Sequence, residues 1–372
     1  MLIVTSIIRY AAAVEHHETL AENSFKRSNL LGIRGLIPKG KICYMLMCFC
    51  LFFLFFASNE LYGAPYYEGK SISIIVGYGP GGGYDRMARL IARHLPKYIP
   101  GKPTVIVQNM PGADSMIAAN HVYNISKPDG LTIGAFERGM PFAQLQKAQG
   151  VRFDLSKFSW IGSEAIETRA LALRADLPYK TFDDLVKLKS PLMIGYTGPA
   201  ESTGQFCVLL RDFLGVNLKM VTYISRADVM LAMERKELDG TGTSYNSIKP
   251  YLDRNLARLF IRGRSFEPGM ENLPIDEDMT TNLRGKAIMS IFSATDRMGR
   301  PFVAPPKTPP AMVSILRSAF LNVAKDQQLK EDSKRLMMTV EYVPAAECLR
   351  VVNNILNQPE DILKEIVKYV KY

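Results

Sequence analysis

Short β-rich apolar runs, loops bearing glycine or proline, and stretches of helical period follow one another along the chain from residue 72 onward. The first run, residues 72–76 (Ile-Ser-Ile-Ile-Val), ends in a glycine-rich loop, and residues 86–95 then place their apolar side chains on one face of a helix. Residues 104–108 read as a second strand and 109–113 as a turn. Residues 115–125 read as a helix with Met116, Ala119, Val122 and Tyr123 inward. Pro128-Asp129-Gly130 turns the chain into a third strand at 131–135, and 169–173 is a further strand. Residues 181–188 make a helix with Thr181 as N-cap and Asp183 and Asp184 in its first turn. A second series repeats the order: strand 192–196, loop 197–201, helix 202–214, strand 221–223, helix 228–235 and strand 239–243. A polar loop at 244–247 then leads through 248–252 to a strand at 257–261.

Strands alternating with helices predict mainly parallel sheets with right-handed crossovers. Two such series, each with a polar loop after its first strand, predict two lobes around a cleft. The acidic stretch 267–282 reads as a surface excursion and 300–306 as an extended, proline-stiffened connection. Residues 311–325, 328–337 and 359–370 read as packing helices.

The loop Gly77-Tyr78-Gly79-Pro80-Gly81-Gly82-Gly83-Tyr84-Asp85 stands between strand and helix. Free N–H groups at a helix start, with the helix dipole, make a site for an anion. Gly81, Gly82 and Gly83 allow close backbone approach, and Asp85 is placed to cap the following helix. A tight turn without a ligand is the competing reading of the glycines alone. No Gly-Lys-Ser/Thr follows, so the loop is not a phosphate P-loop.

Residues 42–57 are almost wholly apolar, preceded by Arg34, Lys39 and Lys41 and followed by Leu61-Tyr62-Gly63-Ala64. A basic flank, a 16-residue apolar core and a small-residue end fit a signal peptide better than a spanning helix of about 20 residues. An uncleaved anchor is the rival reading, and either way the body is exported. Residues beyond 64 keep 40 basic and 32 acidic side chains, a net charge of +8. That mild excess suits capture of small anions as well as a plain solvated surface. No basic block interleaved with aromatics speaks for nucleic acid.

Cys207 and Cys348 are the only cysteines of the body, without CxxC or Cys-His spacing, so zinc is not expected and their pairing stays open. His94 and His121 sit in no triad or HExxH pattern and read as structural. There is no GxSxG elbow and no metal-ligand cluster, so catalysis is not expected.

Taken in order, several segments resemble the extracytoplasmic solute receptors of tripartite tricarboxylate transporters, the Bug-type receptors. Pro80-Gly81-Gly82-Gly83-Tyr84-Asp85 is similar to the family's Pro-Gly-Gly-x-x-Asp signature, and Asn109-Met110-Pro111-Gly112-Ala113 to its Asn-Arg-Pro-Gly-Ala turn. Pro128-Asp129-Gly130-Leu131-Thr132, Tyr179-Lys180-Thr181-Phe182-Asp183-Asp184-Leu185 and Ala304-Pro305-Pro306-Lys307-Thr308-Pro309 match three further segments. The resemblance covers nearly all of residues 66–372, and its specificity lies in the order and spacing of motifs that are weak singly.

The resemblance implies a two-lobed α/β fold of the type II periplasmic-binding-protein (Venus flytrap) class, closing on a small carboxylate without a cofactor. The implied domains are an N-terminal extension and signal peptide at 1–64, lobe 1 at 65–172, lobe 2 at 173–299, and a return to lobe 1 with C-terminal helices at 300–372. The implied ligand residues are Tyr78, Gly81, Gly82, Gly83, Tyr84 and Asp85 in the first lobe. In the second they are Thr197, Gly198, Ser202 and Thr203, with Ser244 and Asn246 as walls.

There are departures from the family pattern. Gly79 stands for a second proline, Tyr84 for a small hydroxyl residue and Met110 for an arginine. Ile224-Ser225-Arg226-Ala227 stands for a glycine-rich turn; Arg226 either reaches an anionic ligand or lies exposed, the usual state of arginine. The implied function is a non-enzymatic, monomeric, periplasmic receptor serving the membrane subunits of such a transporter. A component reporting ligand occupancy to a membrane sensor is the alternative.

Overall fold

The chain enters its first sheet at β1 (Ser71–Val76), which is buried on both faces. Ile72, Ile74 and Val76 pack with Met87, Leu90 and Ile91 of α1 (Gly83–His94), whereas Ile75 joins Phe136, Phe158 and Trp160 on the opposite side. That burial explains why β1 reads as a continuous apolar run. The computed structural model describes residues 64–199, 201–265 and 267–369. The expected signal peptide and N-terminal extension lie outside the described residues.

The first series continues through β2 (Thr104–Asn109), α2 (Met116–Asn124), β3 (Thr132–Ala135), α3 (Met140–Leu145) and β4 (Ser159–Ser163). The second holds β5 (Arg169–Arg174), α4 (Phe182–Val186), β6 (Leu192–Tyr196), α5 (Ser202–Leu214), β7 (Leu218–Thr222), α6 (Arg226–Glu234), β8 (Gly240–Ser244), α7 (Tyr245–Asp253) and β9 (Ala257–Arg262). The chain then returns through α8 (Asp276–Met279), α9 (Leu283–Ala294), β10 (Pro301–Ala304), α10 (Pro310–Val323), α11 (Gln327–Arg335), β11 (Val343–Pro344), α12 (Ala345–Leu356) and α13 (Glu360–Tyr369).

One sheet has six strands in the order β11-β4-β10-β3-β1-β2, the other five in the order β7-β6-β8-β5-β9. Both are mixed rather than mainly parallel. β1 pairs in parallel with β2 and β3, and β6 with β7 and β8, as expected of strand–helix units. The strands that carry the chain between lobes, β4, β5 and β10, run antiparallel to their neighbours. A chain that changes lobes enters the new sheet without a packed crossover helix, so nothing imposes parallel pairing there. The 300–306 connection therefore contains a strand, β10, set between β3 and β4, with Pro301 at its first position where the missing N–H is tolerated.

The first switch of lobes lies between β4 and β5, and the boundary expected at 172/173 falls inside β5. Before the return at 300, α9 already packs on first-lobe core. Its Ile288, Met289 and Phe292 share a cluster with Phe142, and the Phe142 and Phe292 rings stack at 4.0 Å. Stretch 267–282 is not a surface excursion, since Met270, Asp276 and Glu277 are buried and Ile275 bridges to Arg262. It covers the open edge of the second sheet at β9, which would otherwise expose unpaired backbone. Cys207 and Cys348 are both buried and unpaired. His94 is structural, its Nε2 meeting Asp332 Oδ2 at 3.0 Å to tie α1 to α11.

Candidate functional site

The loops at the carboxyl ends of β1, β2, β3, β6, β7 and β8 converge on one interlobe cavity of about 140 Å³, the space open to centres of water molecules. Such ends are where ligands enter α/β sheets. At roughly 10–15 Å³ per water, the cavity suits a ligand of about ten heavy atoms. The N-termini of α1 (Gly82, Gly83, Tyr84) and α5 (Ser202, Thr203) both line it. Their first-turn N–H groups have no intrahelical acceptor and carry the positive end of each dipole.

Local sequence explains this placement. After β1, Gly77 passes so close to Ser115 that a Cβ would lie 2.2 Å from its Oγ. Ser115 Oγ donates to the Gly77 carbonyl (3.3 Å) and accepts from the Glu137 N–H (3.2 Å), locking three loops together. Ala113, Asp114 and Ser115 run with φ of 45°, 46° and 77°. Gly83 is packed against side chains of both lobes, since a Cβ there would stand 2.8 Å from both Arg300 Nη2 and the second lobe's Ser247 Oγ. The lobes thus meet at Gly83.

Of the expected residues, Tyr78, Gly82, Gly83, Tyr84, Thr197, Ser202, Thr203 and Ser244 line the cavity. Gly81, Asp85, Gly198 and Asn246 do not line it. Gly81 donates its N–H to Asp85 Oδ2 (2.9 Å), so Asp85 braces the loop from within the first turn of α1, whose N-cap is Gly82. Asp85 is only 2% exposed and also accepts from Asn109 Nδ2 (2.8 Å) and Arg89 Nε (3.0 Å). Those donors outweigh burial and hold its carboxyl below the usual range. Gly198 is packed where a Cβ would meet Asp114 Oδ2 at 2.7 Å. Asn246 accepts the Thr339 N–H (2.9 Å), joining the second lobe to the C-terminal region.

Arg226 is neither exposed nor a surface residue. Its guanidinium pairs with Glu201 and donates to Thr203 Oγ1 (2.8 Å), Thr241 Oγ1 (2.6 Å) and the Gly242 carbonyl (3.0 Å). Burial lowers its pKa to about 10, which keeps it charged at neutral pH. Glu201 in turn accepts from Thr197 N–H (2.7 Å) and Thr203 Oγ1 (2.5 Å), which orders the loop into α5.

Sequence reasoning missed Glu137, Arg138 and Arg300, all lining the cavity. Arg138 pairs with Asp296 (3.2 Å) and Arg300 with Glu167 (2.6 Å), while Arg300 Nη1 also donates to the Gly83 carbonyl (2.8 Å). Tyr78 donates its hydroxyl to Glu137 Oε2 (2.8 Å) and stacks on Tyr84 at 5.2 Å. The Tyr84 hydroxyl oxygen accepts the Arg138 N–H (2.9 Å). Burial, then Glu137, pushes both phenols well above their ordinary value, so they act as neutral hydrogen-bonding groups. Charged residues inside one loop, Glu137-Arg138, were the signal available in the sequence.

Among the described residues no group of three or more His, Cys, Asp or Glu could hold a metal ion, and no helix is long and apolar enough to cross a membrane. The family model for the tripartite tricarboxylate transporter family receptor, TctC, matches residues 87–367. The chain belongs to this receptor family. As a member it is a solute-binding receptor, not an enzyme. The receptor is 24% identical over 315 residues to a UPF0065 protein of Bordetella pertussis, covering 82% of this chain and 91% of that protein. Its fold is similar to the periplasmic binding protein BugD (TM-score 0.66, 19% identity, 82% of this chain and 98% of that one). It is also similar to MatC of Rhodopseudomonas palustris, solved with bound malate (TM-score 0.64, 18% identity, 79% and 99%).

Proposed function

We propose that this receptor captures a small carboxylate in its interlobe cavity and delivers it to the membrane subunits of a tripartite tricarboxylate-type transporter. The observation that carries the reading is the convergence of two helix N-termini, α1 and α5, on one small cavity between the lobes. Their amides supply donors to a carboxylate without requiring a free cation. Malate in MatC, which shares the fold, supports the ligand class. Ser244 and Ser247, 3.0 Å apart, add hydroxyls to the same wall. Binding shifts an open–closed equilibrium toward the form in which Gly83 meets Ser247, and that form is what the membrane partner reads.

The protein works as a periplasmic monomer, exported by the signal peptide within residues 34–64. A thermal-shift screen of mono-, di- and tricarboxylates and amino acids, followed by calorimetry, tests the reading. A ligand at 100 times its dissociation constant stabilises by roughly 2.7 kcal/mol. Silence across the panel from folded, ligand-free protein refutes the carboxylate assignment.

A further inference from the structure

We propose that closure of this receptor on its ligand takes up one proton, at the Glu267 carboxyl between the lobes. Acid then tightens the hold on the ligand and alkali loosens it. The inference rests on the carboxylate-receptor reading and adds a regulation of that same site.

Glu267 follows β9 in the second lobe and is 5% exposed. Both crossings of the chain between the lobes pass it. Glu167 and Thr168 stand in the first, between β4 and β5, and Arg300 in the return to β10. Asn246 of α7 donates its Nδ2 to Glu267 Oε1 at 3.4 Å, and the Thr339 hydroxyl, between α11 and β11, faces the same carboxyl. Asn246 Oδ1 in turn accepts the Thr339 N–H, so one seam joins α7 of the second lobe to the C-terminal region. The charges at this seam do not balance. Arg300 is the cation facing Glu267, yet it is already engaged with Glu167 at 2.6 Å and with the Gly83 carbonyl at 2.8 Å. Two carboxylates share one guanidinium, and a buried carboxyl beside a second carboxylate holds its proton. Tyr245 of α7, another titratable neighbour, is raised above its ordinary value and stays neutral in this range.

Lobe opening undoes this arrangement. Thr339 is exposed, so the seam parts directly into solvent, and hydration restores an ordinary carboxyl. Burial, reinforced by Glu167, pushes Glu267 up to about 8 in the closed form, against an ordinary 4.5. A value raised by closure means that closure is favoured fully below about 4.5 and loses that help as pH rises through about 8. The ligand holds the lobes closed, so its affinity inherits the dependence. Arg300 also ties the two sites together, because the side chain that faces Glu267 reaches Gly83 at the start of α1.

The test is calorimetry of the purified protein with malate and with adipate between about pH 6 and about pH 8.5, in buffers of different ionisation enthalpy. Affinity should fall about tenfold or more across that range, with about one proton taken up per ligand near pH 7. Glu267→Gln, checked for a melting point no lower than the parent's, should bind equally at both ends of the range. Asp276, which burial pushes up to about 7, faces Arg169, Glu277 and Asp296 instead of the seam, so a folded Asp276→Asn should keep the pH dependence. Flat affinity in the parent, or a dependence that survives Glu267→Gln or vanishes in Asp276→Asn, overturns the inference and leaves the carboxylate receptor standing. Binding of neither diacid counts against the carboxylate reading, and the ligand-free protein then decides this one. Small-angle scattering should show it more compact near pH 6 than near pH 8.5, and a radius independent of pH overturns proton-linked closure.

Discussion

Replacing Arg226 by methionine removes one partner of a buried ion pair while keeping most of the side-chain volume. Arg226 is 18% and Glu201 7% exposed, so the pair is largely shielded. Deleting one member of such a pair costs about 3–5 kcal/mol when the other is left without partners. Glu201 is not so stranded, because Thr197 and Thr203 still donate to it. Against that, Thr203, Thr241 and the Gly242 carbonyl each lose a hydrogen bond of about 1 kcal/mol.

The expected loss is therefore about 2–4 kcal/mol, read as a fall in urea midpoint at constant m-value by circular dichroism. Neutralising the survivor should help, so Arg226→Met with Glu201→Gln should recover about 1–2 kcal/mol. Carboxylate affinity should fall in both variants. A single-variant loss below about 1 kcal/mol, or a double variant no better than the single, refutes a stabilising role for the Arg226–Glu201 pair at the start of α5.

Other consequences follow from single contacts. Gly83→Ala puts a methyl group 2.8 Å from Ser247 Oγ and Arg300 Nη2, so ligand affinity should drop about tenfold or more; unchanged calorimetry would mean that the lobes do not close there. Burial, reinforced by Glu167, pushes the Glu267 carboxyl up to about 8, so the native state holds a proton that the unfolded chain releases above its ordinary value of 4.5. Stability should thus decline as pH rises from about 4.5 to about 8 and level off beyond. Glu267→Gln should then gain on the parent between about pH 5 and pH 9, by at most roughly 5 kcal/mol, and a parallel pair of pH curves would contradict this. Burial also pushes the Cys207 and Cys348 thiols up to about 12, so both should resist thiol reagents until the protein unfolds; fast native labelling would count against their burial.

The strand–loop–helix units were legible because their signals are local. Strand 192–196 and helix 202–214 match β6 and α5 residue for residue, and Thr181 forms the capping box expected of it. β4 and β10 were hidden. Each is short, and β10 lies among prolines that ordinarily argue against an interior strand. α12 escaped notice although Cys348, Val351, Val352 and Ile355 mark its buried face. At the site, glycine loops and helix starts could be read, but the ion pairs could not. Arg226 meets Glu201 and Arg300 meets Glu167 only after the sheets assemble. Exposure statistics for arginine pointed the other way for Arg226, because a half-buried arginine is specified by an acid that the fold brings to it. Asp85 carries the family motif, yet its work is to brace Gly81.

The most direct test of the account is a crystal structure of the receptor with a carboxylate ligand that passes the calorimetric screen. Density for a carboxylate is expected between Gly82–Gly83 and Ser202–Thr203, with oxygens about 2.7–3.2 Å from first-turn amides of α1 and α5. Ligand density outside the cleft, or in the cleft with its carboxylate turned away from both helix starts, would contradict it.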